Sequence, residues 1–168
     1  MNSNGLTQDA QAIDVSNPET HYQVQCADIR LLSSKLSLFE VDQEQGSESR
    51  FIFKIKVVVQ ERIAFAQLHV DVVAITDESE DTQSGCELQF VLVGVFTAEG
   101  DIQPAALGDF CRMFSLSILW PYAREYTSDQ LRRAGQPFAA LPIINPQVVT
   151  EKLIEGGLVE VEYDIKGE

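Results

Sequence analysis

Three consecutive segments with a two-residue hydrophobic period constrain the fold of this chain more than any other feature. In residues 50–60 the apolar side chains that share one face are Phe51, Phe53, Ile55, Val57 and Val59. Residues 63–75 and 86–97 alternate in the same way, which is typical of β-strands with one buried face. Because only Glu61-Arg62 and an acidic run at residues 77–85 separate them, the three strands are predicted to form an antiparallel meander.

A strand before the meander and two helices after it complete the predicted architecture. Residues 31–40 suit a fourth strand; residues 22–33 fit a helix or a strand, and we favour the strand. The helices are predicted at residues 104–133, since proline suits a first turn, and at residues 147–155, ended by two glycines. The tail, residues 158–168, adds a short strand or stays free. Strands followed by helices predict an α+β fold, a four-stranded antiparallel sheet (meander) with two helices packed on one face.

The length and charge of the chain favour a single acidic domain. Its 168 residues are 45% hydrophobic and carry 26 acidic against 12 basic side chains, a formal net charge of −14. We expect residues 1–20 to form a disordered lead and residues 21–168 to form one domain. An acidic surface disfavours nucleic acid and anionic lipid as partners. Because we find neither a signal peptide nor an apolar run of the roughly 18 residues that span a bilayer, we expect a cytoplasmic protein without membrane insertion.

Residues that usually carry catalysis or bind metals are sparse. The cysteines are odd in number and too far apart for a metal-binding pair: Cys26, Cys86 and Cys111. His69 has one nearby ligand, Asp71, which is more typical of a polar strand face than of a metal site. The sequence contains no glycine-rich phosphate loop and no nucleophile elbow. We therefore expect no enzyme, metal or cofactor; the alternative from another class is a hydrolase using Cys111 or His69.

A proline within an otherwise continuous helical segment marks the second informative region. Pro121 removes a backbone hydrogen bond to the Ser117 carbonyl and predicts a kink in the helix. We expect Trp120 to fill the space at the kink, and Arg124 to tie the helix to a loop carbonyl or carboxylate. The connection to the second helix, residues 135–146, is apolar and contains three prolines. Such a loop is either buried on the sheet or open as a binding surface.

Two motifs in this region resemble the SecB family of protein-export chaperones. They are Ile-Leu-x-Pro-Tyr-x-Arg-Glu at residues 118–125 and Gly-x-x-Phe…Leu-Pro-x-x-Asn at residues 135–145. The helix motif is matched by Pro121, Tyr122, Arg124 and Glu125. The resemblance extends over residues 22–158 and implies the sheet and helices described above, in subunits that assemble as a homotetramer, a dimer of dimers.

The resemblance also implies a function. Members of the family are ATP-independent holdases that bind unfolded preproteins in apolar grooves and pass them to the translocase motor. No cofactor is implied. The side chains that match the client groove are Phe53, Ile55, Val57, Tyr122, Phe138, Leu141, Ile143 and Ile144.

Two departures from the family pattern concern docking to the motor. The family presents acidic residues on its first and last strands, whereas the matching stretches here begin with Lys35 and contain Gln89. The chain also lacks the glycine-bearing polar tail of the export chaperones. These differences imply weak docking. Divergent SecB-like proteins hold the unstable antitoxin of a toxin–antitoxin system, and that function is the alternative within the family.

Apolar residues on both faces of the predicted sheet indicate self-association. Two helices cover only one face of a sheet. The other face would expose apolar side chains of residues 51–59 and 86–96 to water unless a second subunit covered them. We therefore expect at least a dimer, and the resemblance implies a tetramer.

Overall fold

The computed structural model describes residues 23–41, 50–77, 83–136 and 141–164. Within these ranges the elements follow in the order β1 (Val24–Val41), β2 (Arg50–Gln60), β3 (Ile63–Asp77), β4 (Gln83–Ala98), α1 (Pro104–Arg133), α2 (Pro146–Glu155) and β5 (Val159–Tyr163). The predicted disordered lead lies outside the described residues, as does most of each polar run between β1 and β2 and between β3 and β4.

The strands form one sheet in the order β1-β4-β3-β2-β5. The pairs β1–β4, β4–β3 and β3–β2 are antiparallel. β2, β3 and β4 form the predicted meander, whereas β1 pairs with β4 and not with β2, the next strand along the chain. β2 begins and ends at the predicted residues, while β3 and β4 extend a few residues beyond them. Residues 24–33, which fitted either a helix or a strand, belong to β1. The register of β1 shifts after Cys26 and again after Leu31, as at β-bulges.

The predicted sheet of four antiparallel strands is wrong in strand number and in direction, because β5 pairs in parallel with the outer edge of β2. The end of α2 explains how the chain reaches that edge. Gly157 adopts a φ of 68°, and the N–H of Leu158 donates to the carbonyl of Leu153, which is a Schellman turn. The turn brings the Leu158 carbonyl within 2.9 Å of the Ile55 N–H, and the parallel pairing starts there.

One face of the sheet packs under α1 and forms the core; we call it the helix face, and the other the open face. The alternation in the sequence correctly predicts which strand residues lie on the helix face. From the sheet, the buried side chains include Ile55, Val57, Val59, Ala64, Ala66, Leu68, Val70, Val72, Leu88, Phe90, Leu92 and Phe96. From α1 they include Leu107, Cys111, Leu116, Leu119, Trp120, Ala123 and Leu131. α2 packs mainly on α1, through Thr150 and Leu153.

The long helix is continuous through its proline. α1 begins at Pro104 and ends at Arg133, as predicted, with Pro121 in its interior. Pro121 and Ser117 both lie on the exposed side of the helix, away from the sheet. Water can therefore replace the hydrogen bond that the Ser117 carbonyl loses, and this lowers the cost of an internal proline.

The close approach of α1 to β4 depends on Gly94. A Cβ added at this position would lie 2.8 Å from Cε2 of Phe96 and 3.1 Å from Cδ2 of Leu119. Both neighbours are fully buried, so neither has free space into which it could move. A larger residue at position 94 would therefore push the helix away from the sheet.

We predict that Gly94→Ala lowers the free energy of unfolding by about 1–3 kcal/mol, because it overpacks the contact between helix and sheet. Denaturant unfolding measures the change. The matched control is Gly156→Ala at the exposed end of α2, where φ is −79° and the change should stay within about 0.5 kcal/mol. Equal stability of Gly94→Ala and the wild type would contradict the close packing described here.

Candidate functional site: two apolar surfaces beside helix α1

Three aromatic rings form a cluster where α1 crosses the end of β2. The centroid of the Trp120 ring lies 4.9 Å from that of Phe53, and the ring of Phe53 stacks on Phe51 at 6.2 Å. Trp120 is buried, Phe53 is half-buried and Phe51 is exposed. The prediction that Trp120 is a packing residue is confirmed, because its ring is buried in the core. The cluster therefore continues from the core to the surface of the protein.

The segment that leads into α2, residues 141–145, is held against this cluster by two side chains of α1. The indole Nε1 of Trp120 donates to the carbonyl of Pro142 at 3.1 Å. Nε of Arg124 donates to the carbonyl of Leu141 at 3.0 Å. The prediction that Arg124 ties the helix to a loop carbonyl is confirmed. The segment ends at Asn145, whose side chain accepts hydrogen bonds from the first turn of α2.

The side chains of this segment differ in exposure. Leu141 is only 2% exposed, Ile144 is half-buried and Ile143 is 84% exposed. Because Trp120 contacts both Phe53 and the backbone of the segment, the apolar side chains of the segment and the rings lie in one region, which we call the aromatic surface. It consists of Phe51, Phe53, Ile143 and Ile144, with Trp120 and Leu141 beneath.

Several residues that the sequence predicts for the client groove are buried and cannot contact a client. Ile55 is 1% and Val57 0% exposed, because α1 covers β2 at these positions; Leu141 is also buried. These three residues belong to the core in this conformation. Phe138 lies outside the described residues. Of the predicted set, the structure brings together Phe53, Ile143 and Ile144 at the aromatic surface.

Tyr122 lies at a different surface. It borders a cavity of about 290 Å³ between α1 and the two strands β1 and β4, which we call the tyrosine groove. Its lining residues are Ile29, Arg30, Leu31, Leu92, Tyr122, Glu125, Tyr126 and Asp129. β3 lies between this groove and β2, so Tyr122 and Phe53 do not share one site. The four-residue spacing of Tyr122 and Tyr126 places both on one side of the helix, a signal that the sequence analysis missed.

The tyrosine groove has an apolar floor and a polar rim. Ile29, Leu31 and Leu92 form the floor, and the ring of Tyr126 packs edge-on against Phe90 at 4.9 Å. On the rim, Asp129 pairs with Arg133 at 2.9 Å, and Arg30 pairs with Asp28. These ion pairs are exposed and contribute little to stability. The groove thus offers apolar contact area with charges at its border.

The two residues of the hydrolase alternative lie on opposite faces of the sheet. Cys111 is fully buried in α1 on the helix face, where burial and, to a lesser degree, the nearby Cys26 raise its pKa to about 12. His69 points to the open face, where burial and then the Lys54 and Lys56 ammonium groups lower its pKa. Because the sheet separates them, His69 cannot activate the Cys111 thiol. Within the described ranges, no three His, Cys, Asp or Glu side chains converge as metal ligands would.

The fold is similar to that of a solved chaperone structure, although comparisons of the sequence give no match. No family model and no curated protein matches the chain. The solved structure is the SecB-like chaperone Rv1957 of Mycobacterium tuberculosis, in complex with a ChAD peptide from the antitoxin Rv1956 HigA1. The similarity has a TM-score of 0.58 at 20% identity and covers 73% of this chain and 91% of that chain. This chain has a SecB-like fold.

The structural similarity confirms the resemblance of the sequence motifs at the level of the fold. The SecB-like neighbour is a chaperone. Among the helices in the described part of this chain, none is both long and apolar enough to cross a bilayer.

We predict that Cys111 of the folded protein resists alkylation, because its thiol is buried and almost fully protonated at neutral pH. N-ethylmaleimide at pH 8, followed by mass spectrometry, should modify half-buried Cys26 first, and Cys86 and Cys111 only after denaturant is added. Fast modification of Cys111 in the folded protein, with loss of an activity, would contradict this arrangement and favour the hydrolase.

Proposed function

We propose that this chain is a cytosolic, ATP-independent holdase that binds unfolded polypeptide on the aromatic surface and in the tyrosine groove. The observation that carries the proposal is the exposure of Ile143 on a segment that two hydrogen bonds hold in place. Folding alone favours burial of so large an apolar side chain. An isoleucine that is fixed in position but left in water is therefore available for a partner.

The chemistry of both surfaces suits clients that differ in sequence. Burial of a large apolar side chain contributes about 1.5–3 kcal/mol and requires no particular hydrogen-bonding geometry. Unfolded chains share exposed apolar segments whatever their sequence. The aromatic rings of Phe51 and Phe53 provide broad contact area with few rotatable bonds, so that binding costs them little side-chain entropy.

Among possible clients, two observations favour an antitoxin over exported preproteins. The structural neighbour Rv1957 is itself bound to an antitoxin peptide. On the open face, Lys35 pairs with Gln89 and Ser37 with Glu87, so this stretch does not form the acidic surface that export chaperones present to the translocase motor. We propose an antitoxin as the specific client and weak docking to the motor.

We also propose that the chain assembles through β1. β1 lies at one end of the sheet, and in the described part of the chain no strand pairs with its outer edge. Its large apolar side chains beyond the tyrosine groove are exposed, among them Leu32, Leu36, Leu38 and Phe39. A long apolar edge strand of this kind invites uncontrolled pairing unless a partner covers it. A second copy of the chain is the proposed partner, and a dimer of dimers is the assembly that the SecB resemblance implies.

For the client site, we predict that Ile143→Ser weakens the suppression of client aggregation and leaves stability unchanged, because the side chain contacts water in the free protein. Light scattering of an aggregating client and thermal unfolding measure the two effects. The contrasting variant is Leu141→Ala, two residues away and buried, which should cost about 2–5 kcal/mol of stability. Full holdase activity of Ile143→Ser at wild-type stability would remove Ile143 from the client site.

For the assembly, we predict that the protein is at least a dimer at micromolar concentration and that the double substitution Leu32→Lys, Leu38→Lys dissociates it. Charged side chains on an edge strand oppose strand pairing. Multi-angle light scattering measures the mass. Val148→Lys, at an exposed apolar position on α2, is the control and should leave the mass unchanged. A monomeric wild type would contradict the proposal, as would a double variant with unchanged mass.

A further inference from the structure

The segment 141–145 is attached to the rest of the molecule in an unusual way. Within the described part of the chain, no backbone hydrogen bond reaches residues 141–144 from another element. Pro142 has no N–H to donate, and Pro142 and Pro146 both restrict the backbone. The segment therefore depends on side chains to hold it, namely Trp120, Arg124 and its own Leu141.

The two donors form a single unit. Trp120 and Arg124 are four residues apart, so their side chains project from the same side of α1. They donate to consecutive carbonyls, those of Pro142 and Leu141. Either carbonyl can exchange its donor for water if the segment lifts, because the neighbouring Ile143 is already in solvent. We call this pair of hydrogen bonds the latch.

We propose that the latch controls access to part of the client site and that Trp120 and Arg124 are positioning residues for binding; the inference rests on the proposed holdase function. With the latch closed, Leu141 is buried and only part of the Phe53 ring is exposed. When the latch opens, the side chain of Leu141 and the rings of Phe53 and Trp120 become exposed, and a client can contact them. Arg124 thus influences client binding without contacting the client.

The anchoring of α2 supports the proposal. Asn145 caps α2, so movement of the segment also moves the start of that helix. α2 buries only Thr150 and Leu153, and the Thr150 hydroxyl is buried without a hydrogen-bond partner among the described residues. With one fully buried apolar side chain, partly buried Val149 beside it and one unsatisfied hydroxyl, α2 is held less firmly than α1, so the burial of Leu141 and the latch are the main resistance to opening.

The test uses the chain's single tryptophan, Trp120, as its reporter. Arg124→Ala removes one half of the latch, and Arg132→Ala, on the exposed side of the same helix, is the matched control for the lost charge. Acrylamide quenching of Trp120 reports opening without any client. Stopped-flow binding of fluorescently labelled, reduced and carboxymethylated α-lactalbumin, a permanently unfolded polypeptide, reports access to the client site.

We expect Arg124→Ala to increase the quenching of Trp120 and to accelerate association of the unfolded polypeptide several-fold, whereas Arg132→Ala changes neither. Arg124→Lys, which keeps a donor, should restore part of the wild-type behaviour. Trp120→Phe keeps an aromatic ring but loses the N–H, and it should also accelerate association. A purely structural role would instead lower stability and slow the binding.

The outcomes separate this inference from the function on which it rests. Wild-type quenching and wild-type association in Arg124→Ala would overturn the latch and leave the holdase intact. Increased quenching in Arg124→Ala, with no binding of the unfolded polypeptide by any variant or by the wild type, would overturn the proposed function while the segment still opens.

Discussion

The packing of one long helix across a wider sheet determines the rest of this structure. A helix of 30 residues is about 45 Å long and, with its side chains, about 10 Å wide. Five strands at about 4.8 Å spacing form a sheet about twice that width. α1 can therefore bury the central strands of the helix face but not its borders. Apolar side chains remain beside the helix on both sides, and the two candidate surfaces lie there.

The sheet is covered to different extents on the two sides of α1. On the β2 side, the segment 141–145 lies against α1, and the hydrogen bonds from Trp120 and Arg124 keep the segment in place. On the β1 side no further element of the described part of the chain covers the sheet, and the tyrosine groove stays open. Pro121 lies between the residues that serve each side, with Trp120 before it and Tyr122 after it. One turn of α1 therefore connects both surfaces, which explains why the sequence motif is concentrated there.

The sequence predicts local structure well and long-range neighbours poorly. The bounds of β2 and α1 follow from alternation and from Pro104, because these signals lie within the elements themselves. The sequence left open whether residues 158–168 form a strand, because the alternation of β5 is weak and its partner, β2, is about a hundred residues earlier in the chain. Ile55 and Val57 were assigned to the client groove, together with Phe53, by the resemblance to the SecB family, and alternation places all three on one face. Alternation identifies the face but not where the helix covers it. Tyr122 and Phe53 were also grouped by the resemblance, and only the strand order shows that β3 lies between their two surfaces.

Hydrogen–deuterium exchange with and without a bound unfolded polypeptide tests most directly whether the borders of α1 are the client site. Client binding at these borders should increase protection at the end of β2 near Phe53, in the segment 141–145, and along β1 near Leu31. No change is expected at residues 67–69 of β3, which lie at the centre of the sheet. Protection concentrated on β3 and the central part of β4, with residues 141–145 and β1 unchanged, would place the client elsewhere on the sheet and contradict the account.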